Sequence, residues 1–296
     1  MTSVAAWDGQ SVPDLLGLER LDRDLFRNRL NQRNANDALF GGQVLAQSLA
    51  AATQTAPDDR PVHSLHGYFL RAGQADKPVL YQVDRTRDGG RFSTRRVTAI
   101  QDGQPIFHME LGFHAPEEGF DHQRPVPEGV PPPEALKDLP QLAASFADRL
   151  PEFIRRRWTE PNQRVEMKPV DPETFLDARG REPRRRFWVR MPSAAQAPAC
   201  EQPALLTYVS DYWLAGTAVQ PHVIAMPSPA IFLASLDHAM WFHRPARVDD
   251  WLFVETVSPS AQSGRGLSLG FVHDRSGRLV ATMVQEALIR PRRPTA

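Results

Sequence analysis

Four runs in the first half of the chain, 63–71, 79–85, 92–101 and 105–114, alternate apolar with polar positions or are rich in β-branched and aromatic residues. A period of two fits strands with one buried face. Asp88-Gly89-Gly90 and Asp102-Gly103 separate successive runs. An Asp-Gly pair between apolar runs is a strong hairpin signal. Upstream the texture differs. Gly41-Gly42 opens the segment 43–53, rich in Ala and Leu with few polar side chains. That composition predicts a helix buried nearly all round. Leu15, Leu16, Leu18 and Leu21 predict a lead-in helix within residues 1–20. A short strand is expected around 26–30, followed by turn chemistry at Asn34-Ala35-Asn36-Asp37.

The second half repeats the plan. Strands are expected at 165–170 and 186–191, an apolar helix at 205–219, and a meander at 231–243, 251–257, 266–274 and 279–289. The likeness extends to detail. Gly89-Gly90-Arg91 and Ser263-Gly264-Arg265 each open an extended stretch. Arg91 to Gly103 and Arg265 to Gly277 both span 12 residues, and Ser64-Leu65-His66 recurs as Ser235-Leu236-Asp237. An internal repeat governs the reading of the whole fold. It also implies an interface where two diverged copies share one site. Between the halves, Pro125, Pro127, Pro131, Pro132 and Pro133 crowd together, ahead of one amphipathic helix at 136–157 carrying Leu142, Phe146, Leu150 and Ile154. This reads as a linker that packs. The expected organisation is a first unit at 1–115, a linker at 116–165 and a second unit at 166–296. Each unit is a long buried helix wrapped by a curved antiparallel sheet, the hotdog architecture. The class is therefore α+β, a tandem double hotdog, whose sheets can join edge to edge and hide their unpaired edges.

Charge narrows the partners. With 35 Lys and Arg against 35 Asp and Glu, the balance gives no support for nucleic acid or an anionic membrane surface. One cysteine, Cys200, excludes an internal disulfide, argues against a metal cluster, and is expected to be a buried thiol. No apolar run is long enough to span a bilayer. Residues 1–10 lack the layout of a signal peptide, and the C-terminal residues are not a Ser-Lys-Leu address. A cytoplasmic protein is expected, with no metal and no cofactor.

Three residues are candidates for chemistry. Asp211 falls inside the expected core helix, where a carboxylate is costly unless paired. Burial would raise its pKa toward the range of a general base; a solvated face or a structural hydrogen bond is the alternative. Gln285 follows a strongly apolar arm and stands where the first half has Leu111. Its amide can hold a water or a carbonyl oxygen, or it faces solvent. Ser235 can orient water, or is an ordinary strand serine. It lacks the Gly-x-Ser-x-Gly surroundings of an α/β-hydrolase nucleophile. His66, His238 and His243 read as core or supporting histidines. Arg91, Arg95, Arg96, Arg184, Arg185 and Arg186 offer guanidinium forks for phosphate or line a solvated strand face. Gly41 and Gly42 allow backbone amides to approach a carbonyl or an anion, or permit close packing.

Several segments in order resemble one family. They are Asn36-Asp37-Ala38-Leu39-Phe40-Gly41-Gly42-Gln43-Val44, Val62-His63-Ser64-Leu65-His66-Gly67-Tyr68-Phe69-Leu70-Arg71, Arg87-Asp88-Gly89-Gly90-Arg91-Phe92-Ser93-Thr94-Arg95-Arg96-Val97, Leu236-Asp237-His238-Ala239-Met240-Trp241-Phe242-His243-Arg244-Pro245 and Val284-Gln285-Glu286. The chain is similar over nearly its whole length to the type II acyl-CoA thioesterases, with the linker as the weakest part. The resemblance implies the double-hotdog fold, hydrolysis of acyl-CoA to fatty acid and CoA, and a catalytic set of Asp, Thr or Ser, and Gln, all from the second hotdog. These fall on Asp211, Ser235 and Gln285. Gly41, Gly42, His66, Arg91 and Arg95 are the expected substrate-binding residues, and the expected assembly is a homo-oligomer, dimer or tetramer. Two other readings exist. A hotdog enoyl-CoA hydratase would need an Asp and a His in one short motif at the helix start, and no His lies near Asn36 and Asp37. An acyl-CoA binding module would bind without turnover.

Overall fold

The computed structural model describes residues 4–159, 164–177, 179–222, 228 and 230–292; of Phe153 only the backbone is described. Its strands are β1 (Ala5–Ala6), β2 (Leu18–Asp22), β3 (Leu25–Asn28), β4 (Leu30–Asn31), β5 (Val62–Phe69), β6 (Leu80–Asp88), β7 (Phe92–Gln101), β8 (Gln104–His114), β9 (Glu166–Pro169), β10 (Arg184–Arg190), β11 (Ile231–Ser235), β12 (Asp237–Phe242), β13 (Leu252–Gln262), β14 (Arg265–His273) and β15 (Leu279–Pro291). Its α-helices are α1 (Val12–Leu16), α2 (Gly41–Thr53), α3 (Leu139–Ser145), α4 (Glu152–Trp158), α5 (Pro172–Leu176) and α6 (Gln202–Ser210).

The repeat is visible in the sheet. One 13-stranded sheet runs β2-β3-β6-β7-β8-β5-β12-β15-β14-β13-β10-β9, with β11 also on β15. Read from its centre outward, each side has the same order of counterparts. The two halves meet at the antiparallel pair β5–β12, where Asp237 faces Tyr68 and His238 faces Gly67. Joining there gives each half's inner strand a partner instead of an open edge.

The hairpins follow from turn chemistry. Asp102 and Gly103, between β7 and β8, have φ of 48° and 72°; Ser263 and Gly264, between β13 and β14, have 50° and 73°. Two successive positive φ values give the turn whose twist matches paired strands, and glycine tolerates the second without cost.

Helix α2 is enclosed as its composition predicts: every residue from Gly42 to Ala52 except Ala50 is buried. Its two buried glutamines are paired. Gln43 Nε2 donates to Leu30 O at 2.9 Å, Gln47 Nε2 donates to Leu15 O at 2.6 Å, and Tyr81 Oη donates to Gln47 Oε1 at 2.7 Å. Buried amides without such partners would destabilise the helix.

Several expectations are corrected. The lead-in helix is only the short α1, flanked by strands. The linker helix is split into α3 and α4, because Pro151 lacks an N–H for continuation and serves instead as the N-cap of α4. The linker does pack: Val126, Val130 and Leu136 cover Trp188, Trp251 and Phe253, and Trp188 Nε1 donates to Pro131 O at 2.9 Å. Cys200 is exposed, in the 3-10 turn immediately before α6, rather than buried. The helix expected at 205–219 ends at Ser210, beyond which the chain continues in turns and short 3-10 segments. Aromatic Tyr212 and Trp213 and the pair Gly216-Thr217 are weaker helix formers than the Ala and Leu before them.

Candidate active site

Three elements converge beside the seam. Asp211 is the C-cap of α6, with φ −84° and ψ −2°, rather than a mid-helix residue. Ser235 ends β11, and Gln285 lies within β15. Ser235 faces Ala287 and Ala239 faces Val284. Three residues, 236–238, therefore oppose two, 285–286. This bulge inserts one residue and reverses the alternation of the strand. Ser235 and His238, which a regular strand would send to opposite faces, both turn toward α6.

Gln285 Nε2 donates to Asp211 Oδ1 at 2.7 Å and to Ser235 Oγ at 3.0 Å. Ser235 Oγ donates to the same Asp211 oxygen at 3.4 Å. Gln285 is fully buried, and its Oε1 has no hydrogen-bond partner among the described residues. A third donor comes from the other half of the chain: the backbone N–H of Gly42 donates to the Asp211 carboxylate. The positive end of α2 thus points at the carboxylate, a favourable placement for negative charge.

These effects compete in the acidity of Asp211. Desolvation is the largest and raises its pKa; the bonds from Gln285, Gly42 and Ser235 pull it back, leaving it at about 6. The residue keeps some surface, but its carboxylate is ringed by these donors, so desolvation is the physical cause that counts. The group is mostly ionised at neutral pH and still basic enough to take a proton.

Gly41 and Gly42 lie beside Asp211, and their lack of side chains matters. A Cβ on Gly41 would stand 2.7 Å from Asp211 Oδ2; one on Gly42 would stand 2.7 Å from Tyr208 O. Only glycine lets α2 and α6 approach this closely. Phe40 packs edge-on against Tyr208 and Tyr212, which are tilted against each other, with centroids 5.2–5.5 Å apart. Beneath α6, an apolar cavity is lined by Phe187, Val189, Leu206, Val209, Trp213 and Met283.

A family model for the acyl-CoA thioesterase N-terminal domain matches residues 31–114, and one for the C-terminal domain matches residues 127–289. The chain belongs to the type II acyl-CoA thioesterase family. Its relatives include human acyl-coenzyme A thioesterase 8, 41% identical over 94% of this chain and 88% of the human protein. Acyl-CoA thioesterase 2 of Haemophilus influenzae is 36% identical over 93% of this chain and 96% of that protein. Among solved structures, an acyl-CoA thioesterase II from Mycobacterium marinum superposes with a TM-score of 0.78, at 34% identity over 96% of this chain and all of that one. The fold of the family is the tandem double hotdog described above.

The remaining expected residues of this family member lie elsewhere. In β5, Phe69 reaches toward Gly41, while His66 is exposed on the opposite face of the sheet, edge-on to Trp241 at 5.1 Å. Arg91 is exposed with Nε 3.5 Å from Glu117 Oε2. Arg95 is 0% exposed, and its guanidinium is consumed within the first half. It donates to Thr55 Oγ1 and O at 3.0 and 2.9 Å, to Asp88 Oδ1 at 2.9 Å, and to the carbonyls of Arg87 and Thr94. Arginine spacing in a sequence does not distinguish a phosphate fork from such an internal brace. Two contacts were not legible in the sequence: the Gly42–Asp211 bond across the halves, and a 2.9 Å contact between His238 Nε2 and Ser210 Oγ beside Asp211.

Proposed function

We propose that this chain, organised as units 1–115 and 166–296 around the linker 116–165, hydrolyses fatty acyl-CoA to free fatty acid and CoA with Asp211 as general base and with Ser235 and Gln285 holding the attacking water. One observation carries the reading: a buried amide, Gln285 Nε2, bridges Asp211 Oδ1 and Ser235 Oγ at 2.7 and 3.0 Å. Water gives a proton to Asp211 as its oxygen bonds to the thioester carbon. The carbon–sulfur bond then breaks, and the proton on Asp211 passes to the departing thiolate. A thiolate leaves readily, so no strong general acid is needed. With the Gly42 amide committed to Asp211 and the Phe40 and Val44 amides bonded to Gln32 O and Phe40 O, the N–H groups of Gly41 and Gln43 in the first turn of α2 have no intrahelical acceptor. They stabilise the developing oxyanion.

Expected cellular and assembly states form part of the proposal. The enzyme works in the cytoplasm as a homo-oligomer, checked by fractionation and by light scattering. No helix of the described residues is long and apolar enough to cross a membrane.

The test is thiol release from a panel of acyl-CoAs, short to long and branched, with Asp211→Asn alongside. Turnover by the wild type that collapses in the variant is expected. Binding without turnover on every chain length would replace this reading with an acyl-CoA binding module.

A further inference from the structure

The tetrapeptide Ser235-Leu236-Asp237-His238 touches every element that carries the proposed site. Ser235 belongs to it. The Leu236 N–H donates to Glu286 O at 2.9 Å, and the Glu286 N–H donates to Asp237 Oδ1 at 2.6 Å, so the peptide next to Gln285 is held from both sides. His238 reaches the third element: its Nε2 is 2.9 Å from the Oγ of Ser210, which precedes Asp211. His238 is 0% exposed and Ser210 is 5% exposed.

Donor and acceptor can be assigned from the bonds around them. Ser210 Oγ donates to Thr207 O at 2.7 Å, closing the last turn of α6. Its proton is spent there, so its lone pairs face His238, and Nε2 carries the imidazole hydrogen. His238 Nδ1 has no partner among the described residues, which fits a bare ring nitrogen. The α-helix stops at Ser210, so the direction in which Asp211 leaves depends on how that final turn is held. The bulge at 236–238 is what lets Ser235 and His238 face α6 together.

We propose that Asp237 and His238 are positioning residues: Asp237 fixes the backbone at Gln285–Glu286, and His238, through Ser210, fixes the end of α6 that presents Asp211. The seam strand β12 thereby sets the distances among Asp211, Ser235 and Gln285. The proposal rests on the reading of those three as the hydrolytic centre.

The experiment measures kcat and KM for one acyl-CoA, and kcat against pH, well below the melting temperature of each variant. His238→Leu and Asp237→Ala should lower kcat about tenfold or more, within the usual range for residues that orient a reacting group, with KM changed by less than about threefold. His238→Gln keeps an N–H at the Nε2 position and Asp237→Asn keeps the Oδ1 acceptor; both should stay within about threefold of wild type. Ser210→Ala should reproduce His238→Leu, and the double variant should be no slower than either. In His238→Leu, loosened donors at Asp211 should move the rising limb of the pH profile upward by roughly half a unit or more. A folded His238→Leu enzyme with wild-type kcat and pH profile would overturn the inference, as would Gln as damaging as Leu, or multiplying effects at 210 and 238. If His238→Leu does not fold, Ser210→Ala alone decides that arm. An active Asp211→Asn would fail the site reading itself. An inactive Asp211→Asn beside unaffected positioning variants would fail only the inference.

Discussion

The backbone N–H of Gly42, at the start of α2, donates to the carboxylate of Asp211, at the end of α6. Two residues 169 positions apart in the chain thereby join the halves at the base itself. The first half, which contributes none of the proposed catalytic side chains, supplies the positive end of its central helix.

Asp211 opposes stability in proportion to its use. Its folded pKa of about 6 lies above the ordinary 3.8. The stability tied to its protonated form is complete below 3.8 and is lost as pH rises through 6. At neutral pH this amounts to about 3 kcal/mol at most. Asp211→Asn should therefore lower the rate about a hundredfold or more, while melting as high as wild type or a few degrees higher at pH 7.5. That gain should vanish at pH 4. Calorimetry at both pH values checks it.

The same carboxylate sets the activity profile. Because Asp211 must be ionised to accept a proton, kcat/KM should rise through a midpoint near 6 and level off above it. Thiol release measured from pH 4.5 to 8 would show this limb; a flat profile would contradict the role given to Asp211.

Gly41 and Gly42 should fail differently when given a side chain. The Cβ of Gly41→Ala meets the carboxylate of Asp211, a movable group, at 2.7 Å. It should cut kcat about tenfold or more by misplacing the base, with little loss of stability, since alanine favours a helix by about 1 kcal/mol over glycine. The Cβ of Gly42→Ala meets the backbone carbonyl of Tyr208 at 2.7 Å. It should force α2 from α6 and cost about 1–3 kcal/mol. Denaturant titration beside kinetics separates the two.

Arg95 is a brace in the first half. Arg95→Met leaves the carbonyl and hydroxyl of Thr55 and the carboxylate of Asp88 without their donor, and should destabilise by about 2–4 kcal/mol. The KM for acyl-CoA should remain within about threefold of wild type. A large rise in KM at full stability would restore the substrate-binding role read from the sequence.

His238 adds an acid sensitivity. Burial holds its pKa at about 4 against an ordinary 6.5. The folded state refuses a proton that the unfolded chain accepts, so stability is complete above 6.5 and falls as pH drops toward 4, by about 3 kcal/mol in all. His238→Gln should lose less stability than wild type between pH 7 and 5, by about 2 kcal/mol in denaturant titrations.

The sequence by itself determined the repeated plan, most strand positions and the hairpin turns, because a period of two and a requirement for positive φ are local properties. Residues 92–101, for example, are both the predicted and the observed strand. It also singled out Asp211, Ser235 and Gln285 as candidates, by polarity at apolar positions and by family likeness. Tertiary structure decided the rest. Arg95 turned inward while His66 turned outward. The meeting of Gly42 with Asp211 and the bulge that turns Ser235 and His238 to one side depend on pairings between distant strands and helices. Such contacts are set by packing and register between segments far apart in the chain, which no local pattern of residues encodes.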